Sequence, residues 1–230
     1  MSRYRMNKQT RSSPRRETSL SRQGIIDAAI DLLDSHGPGG LTFRTLSERL
    51  ATGPGAIYWH IANKNELLVA ACDAIIARAV DVRVDDTSPA ATIRAVALAM
   101  FDAIDAHPWV GSTLARAAGE LPMVRILERL GQEVCALGVP EDAQWATVCA
   151  LLNYILGVGG QNAANAQFAH TLGTDRDSFL DKVSTAWSQL DPAAYPFTRS
   201  MAGQLRSHDD RADFLAGIDL ILGGISGLQT

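Results

Sequence analysis

The chain has 230 residues, of which 47% are hydrophobic, 20% charged and 6% aromatic, and its formal net charge is −4. This composition supplies a sizeable core and excludes disorder as the dominant state, which requires low hydrophobicity and high net charge. Three cysteines (Cys72, Cys135 and Cys149) are too few for a stapling framework; their odd number fits a reducing compartment, and residues 1–22 lack the apolar run of a secretory signal, so a cytoplasmic location is expected.

The charge is unevenly distributed. Residues 1–65 hold ten Lys/Arg against five acids, which leaves an excess of nine negative charges on the rest. A basic head on an acidic body is expected when one end meets a polyanion. Residues 1–18 are rich in Arg, Ser, Thr and Gln, show no apolar period and contain Pro14; they read as a flexible basic arm.

Past the arm, Ile26, Ile30 and Leu33 recur at helical spacing and predict an amphipathic helix over 22–35, ended by the breakers His36 to Gly40. Thr42 is the expected N-cap of a short helix that turns Phe43, Leu46 and Leu50 to one side. Pro54 suits the first position of a second short helix, with Ile57 and Ile61 facing inward. Asn63, followed three residues later by Glu66, has the form of a capping box, opening a helix to about Val84. Beyond Pro89 the chain becomes Ala-rich and acidic, with helices expected over 90–106, 108–119, 121–137, 141–170, 176–190, 195–206 and 209–228. No stretch alternates with the period of a strand, so the fold class is all-α. Residues 143–174 carry no Asp, Glu, Lys or Arg, which raises a membrane span as an alternative; Asn153, Gln161, Asn162, Asn165 and Gln167 and the lack of basic flanks favour a helix buried inside protein.

The segment from Leu41 to Leu68 has the form of a helix-turn-helix, whose second helix can enter a DNA major groove. With Ile57 and Ile61 inward, Gly55, Ala56, Tyr58, Trp59 and His60 are left at or near the surface. Two exposed aromatics on so short a helix call for a partner to cover them. Gly55 and Ala56 permit close approach, Tyr58 and His60 can donate to phosphates or base edges, and Arg44 can reach guanine as a bidentate donor. Lys64 sits in the first turn of its helix, where the macrodipole disfavours a cation, and with the free N–H groups there it marks an anion site suited to a DNA phosphate.

Residues 22–70 resemble the DNA-binding domain of TetR-type transcriptional regulators, through Ile26, Ala29, Leu32 and Leu33, then Leu41 to Leu46, Ile57 to Ile61, and Asn63-Lys64 leading into Glu66-Leu67-Leu68. Tyr58-Trp59-His60 followed by Asn63-Lys64 is similar to the tetracycline-repressor branch. The resemblance implies that Arg44, Pro54, Gly55 and Ala56 face bases and that Tyr58, His60 and Lys64 hold phosphates, with Thr45 and Trp59 on the same DNA-binding surface. In two places the chain departs from the family, with Ala51 where the turn often has Gly and Gly53 where Ser or Thr is common. Three parts are expected: the arm 1–18, a DNA-binding domain 19–66, and a helical ligand-binding and dimerisation domain 67–230. The implied protein is a repressor that binds a palindromic operator as a homodimer and is released by a small-molecule effector.

Candidate lining residues for that effector are Phe101, Trp109, Met123, Asn153, Gln161 and Trp187. The Gly-rich faces of helices 141–170 and 209–228 are the candidate dimer contact. No cofactor and no metal site is expected, since the five histidines are scattered and no Cys/His spacing suits zinc. A helical protein-binding adaptor and a small helical enzyme remain the alternatives.

Overall fold

The computed structural model describes residues 20–85, 88–171 and 173–227. The expected basic arm at 1–18 lies outside the described residues. Those described are arranged in eleven helices: α1 (Arg22–Gly40), α2 (Phe43–Arg49), α3 (Pro54–Tyr58), α4 (Lys64–Val80), α5 (Pro89–Ala106), α6 (Trp109–Leu114), α7 (Leu121–Ala136), α8 (Glu141–Thr171), α9 (Arg176–Ser188), α10 (Pro196–Leu205) and α11 (Asp210–Ser226).

The first four helices form the head. The regular part of α1 ends where expected, because Gly37 takes φ +64°, ψ −178° and breaks the helix before Pro38. Thr42 caps α2 in a reciprocal box: its hydroxyl accepts from Thr45 N–H while its own N–H donates to the Thr45 hydroxyl, both at 3.0 Å. The cap of α4 is shifted by one residue from the expected form. Asn63 Oδ1 accepts from Glu66 N–H (2.9 Å), but the Glu66 carboxylate reaches past the cap to Ala62 N–H (2.7 Å). Leu41, Leu46, Ile57, Ile61 and Leu67 are fully buried against Ile25, Ala29 and Leu33, which fixes α2 and α3 on α1 and α4.

The body packs α5 against α8, and α7 against α4 and α8, with α11 lying across α5 and α8 and the α9–α10 pair at one end. Its core runs without a break into that of the head through α4, α6 and α1. Two features explain the close packing of α11 on α8. Tyr154 stacks on Phe214 (5.5 Å between ring centroids) and donates its hydroxyl to the Phe214 carbonyl (3.2 Å). The ring passes so close to Gly217 that a Cβ there would lie 1.8 Å from the Tyr154 oxygen. Gly159 likewise serves the chain's own packing, since a Cβ on it would fall 3.1 Å from Ile104 Cδ1. Among the described residues no helix is long and apolar enough to cross a membrane.

Candidate nucleic-acid interface

The tip of the head is built from α2, the turn after it, and α3. Leu50 closes α2, and Thr52 N–H donates to Ser47 C=O (3.0 Å), folding the turn back on the helix. Ala51 completes the turn at φ +50°, a left-handed conformation that costs a residue with a Cβ about 1–2 kcal/mol. Pro54 then starts α3 without wasting an N–H, and Gly53 supplies no side-chain cap.

Sequence reasoning placed nine residues at this tip, and the head holds all of them in one region. Trp59 is 90% exposed and Tyr58 55% exposed, while Ile57 between α3 and the core is fully buried. The Tyr58 ring is held by stacking on Phe43 of α2, at 4.5 Å and 12° between planes, so its hydroxyl has a fixed place beside the tip. Pro54 and Gly55 are exposed, and Ala56 and His60 are half-buried. Arg44 is exposed and paired with Glu48 one turn on (3.0 Å); such a pair contributes little in water and can exchange for a better anion. Thr45 differs from the rest, because its hydroxyl is already taken up by Thr42 and the Gly40 carbonyl (3.0 Å) in holding the α1–α2 junction. Lys64, at the first position of α4, donates from Nζ to the Pro38 carbonyl (2.7 Å). An ammonium has three donors, so this contact aims the group across the head surface and leaves others for an anion.

Beneath the tip, Asp34 joins head to body: its Oδ1 accepts from Trp109 Nε1–H (2.7 Å) and lies 2.8 Å from His107 Nδ1. Trp109, 4% exposed, is thus held at the junction of head and body and does not border the cavities described below. Met123 is also withdrawn into the core, on the inward face of α7, and Asn153 points outward from α8. Helical spacing gives the face of a residue, but not what packs on that face.

The remaining three candidates border cavities in the body. Phe101 lines a cavity of about 620 Å³ between α5, α8, α9 and the start of α11. Gln161 lines an adjoining space of about 300 Å³, and Trp187 another of about 450 Å³ on the far side of His208. Sequence reasoning missed the charged members of the first cavity, Asp102, Asp105, Asp209, Asp210, Arg176 and Arg211. The paired groups meet across the chain, Arg211 gripping Asp102 with two bonds (3.0 and 3.1 Å) and Arg176 holding Asp210 (2.7 Å). Nothing in local spacing signals such partners. Among the described residues no group of three or more His, Cys, Asp or Glu could hold a metal ion. Burial pushes the Cys72 thiol up to about 12, so it is an inert core group.

Residues 25–71 match the model of the bacterial regulatory proteins of the tetR family, and residues 86–228 that of the tetracyclin repressor-like C-terminal domain. The structure is similar to that of the transcriptional regulator SCO7222, a TetR from Streptomyces coelicolor, at 55% identity and a TM-score of 0.83, covering 92% of this chain and 100% of the other. It is similar to BioQ, solved with its double-stranded DNA operator, at 32% identity and a TM-score of 0.56, over 67% of this chain and 94% of that one. The Streptomyces coelicolor protein ActR, solved with actinorhodin, shares the fold at 19% identity and a TM-score of 0.74, over 92% and 99% of the two chains.

Proposed function

From the premise that the chain belongs to the TetR family of DNA-binding transcriptional regulators, we propose that it is a repressor that binds a palindromic operator as a homodimer and releases it when a small molecule enters the body. The observation that carries the DNA-contact surface is the exposed pair Tyr58–Trp59 on a helix anchored from behind by Ile57, with Lys64 alongside. Water gives such aromatics no favourable cover, whereas a groove wall does. In this reading Tyr58, His60 and Lys64 meet phosphates, and Arg44 leaves Glu48 for a base edge. Pro54, Gly55, Ala56 and Trp59 lie against bases and sugars. Thr45 contributes by fixing α2.

Two-fold pairing is supported by the outer faces of α8 and α11. On α11, Ala216, Leu220, Gly223, Gly224 and Gly227 are exposed, with Leu220 at 79%, and on α8 Ala146, Ala150, Asn153 and Gly157 are exposed. Small residues around one large apolar side chain suit a second copy approaching closely, in an isologous four-helix contact. Two heads about 34–36 Å apart then read half-sites one helical turn apart, the second binding event being intramolecular. Release of DNA requires a ligand whose affinity differs between two head spacings; its entry point is the cavity at Phe101, which the solved complex of ActR with actinorhodin makes a reasonable role for this fold.

The salt dependence of operator binding tests the phosphate roles. Log affinity should fall steeply with log salt, and Lys64→Ala should make that slope shallower by about one. Arg44→Ala should cost about 1–3 kcal/mol on the preferred site and relax preference at one base pair. An unchanged slope in Lys64→Ala contradicts its role as a phosphate contact.

A further inference from the structure

We infer that the cavity between α5, α8, α9 and α11 takes a positively charged aromatic molecule, with its ring system on Phe101 and its cationic group at Asp105. The inference rests on the effector reading above and assigns the chemical class of the ligand.

The wall and the rim of this cavity differ in character. Phe101, stacked on Phe214 (4.7 Å), Phe179 and Leu180 form an apolar surface suited to a flat ring system. Around it, four carboxylates (Asp102, Asp105, Asp209 and Asp210) face two guanidiniums (Arg176 and Arg211). Both guanidiniums are paired with carboxylates of the rim, so neither adds net positive charge there. Arg211 is committed to Asp102 through two hydrogen bonds, and Arg176 bonds to Asp210 and to the His208 carbonyl (2.7 Å). Asp209 caps α11, accepting from Arg211 N–H and Ala212 N–H (3.0 Å each), and these bonds keep it ionised.

Asp105 is left over. Among the described residues its one hydrogen-bond partner is Asn162 Nδ2 (2.8 Å), and no Lys, Arg or His lies within ion-pair distance. Asp105 is exposed on the rim, and a carboxylate has about four acceptor positions, so most of its capacity is open to the mouth of the cavity and to water. An anionic ligand would meet the excess negative charge of the rim and would have to compete with Asp102, Asp210 and Asp213 for Arg211, Arg176 and His208. A cation gains from Asp105 and from the negative excess around it, while the Asn162 and Asn165 amides can bond to polar groups on the ring.

The test uses the full chain without DNA and three anthracenes that share one ring system and carry an aminomethyl group, a carboxamide or a carboxylate. Calorimetric titration should show the ammonium binding about threefold to tenfold more tightly than the amide, the span expected of one partly solvated charge contact, with the carboxylate weakest. Asp105→Asn keeps an oxygen for Asn162 and removes the charge; it should erase the gap between ammonium and amide, while Phe101→Ala weakens both. Tighter binding of the carboxylate, an unchanged order in Asp105→Asn, or no binding by any of the three overturns the inference. An operator-retention arm separates it from the effector reading. If the ammonium binds at Asp105 yet leaves operator retention untouched, the inference stands and effector release fails. If a neutral or anionic molecule releases the operator in a Phe101-dependent way, the reverse holds.

Discussion

Head and body are assembled by different means. In the head, the helix starts and the exposed arginine of the tip are held by partners nearby in sequence, Thr42 with Thr45, Asn63 with Glu66 and Arg44 with Glu48, although Lys64 reaches back to Pro38. In the body, the cavity is closed by contacts between distant segments, such as Asp102 with Arg211 and Arg176 with Asp210. The caps differ too. Those of α1, α2, α3 and α4 are Ser21, Thr42, Gly53 and Asn63, all neutral. In the body α5, α6 and α10 also start on neutral residues, Ser88, Pro108 and Tyr195, while α9 and α11 are capped by the carboxylates of Asp175 and Asp209. A surface that approaches phosphates gains from caps without negative charge, and a surface in water has no such constraint.

The largest expected effect probes the small core of the head. Ile57→Ala removes the only fully buried side chain of α3 and should cost about 2–5 kcal/mol, read as a lower midpoint in urea unfolding, with DNA binding lost alongside. A loss of DNA binding with unchanged unfolding would mean that α3 needs no anchor. Next comes Gly217→Ala in the body. The added methyl group must displace Tyr154 from the Phe214 carbonyl and ring, at a cost of about 1–3 kcal/mol. Wild-type stability in this variant would show that α11 slides easily on α8.

A smaller effect sharpens the contrast from the other side. Ala51→Gly removes the left-handed strain in the turn and should raise stability by about 0.5–1 kcal/mol, visible as a small rise in melting temperature. The smallest concerns acid. Backbone N–H bonds from Ser178 and Ala212 hold Asp175 and Asp209 below the ordinary carboxylate value of 3.8. A depressed folded value means stabilisation that is complete well above 3.8 and is lost as the pH falls through that value and below it. Hydrogen exchange, corrected for its intrinsic pH dependence, should therefore loosen the first turns of α9 and α11 in acid before those of α2 and α4. Simultaneous loosening would remove the distinction between the caps.

The same contrast explains what the sequence makes legible. Thr42, Pro54 and Asn63 mark their helix starts by local chemistry, and the inward pair Ile57 and Ile61 leaves Tyr58 and Trp59 outside by simple periodicity. The left-handed turn is visible only as a departure from family habit at Ala51. In the body, Trp109 was expected to line a pocket but serves Asp34, which is 75 positions away and detectable only in three dimensions. Asp105, the carboxylate without a cation, has no local signature, because an unmet charge is a property of its surroundings. Gly159 and Gly217 read as openings for another chain, yet they accommodate Ile104 and Tyr154 of this one.

The central claim is that α3 meets DNA through Tyr58 and Trp59. Duplexes retained by the full chain should be selected from a random pool, and the selected pool then bound to a Tyr58→Ala/Trp59→Ala variant, with thermal unfolding recorded in parallel. The account predicts enrichment of a two-fold symmetric site and loss of its retention in a variant that still unfolds cooperatively, its melting temperature lowered only by loss of the Tyr58–Phe43 stack. Undiminished retention by the folded variant, or a pool without any common site, would contradict it.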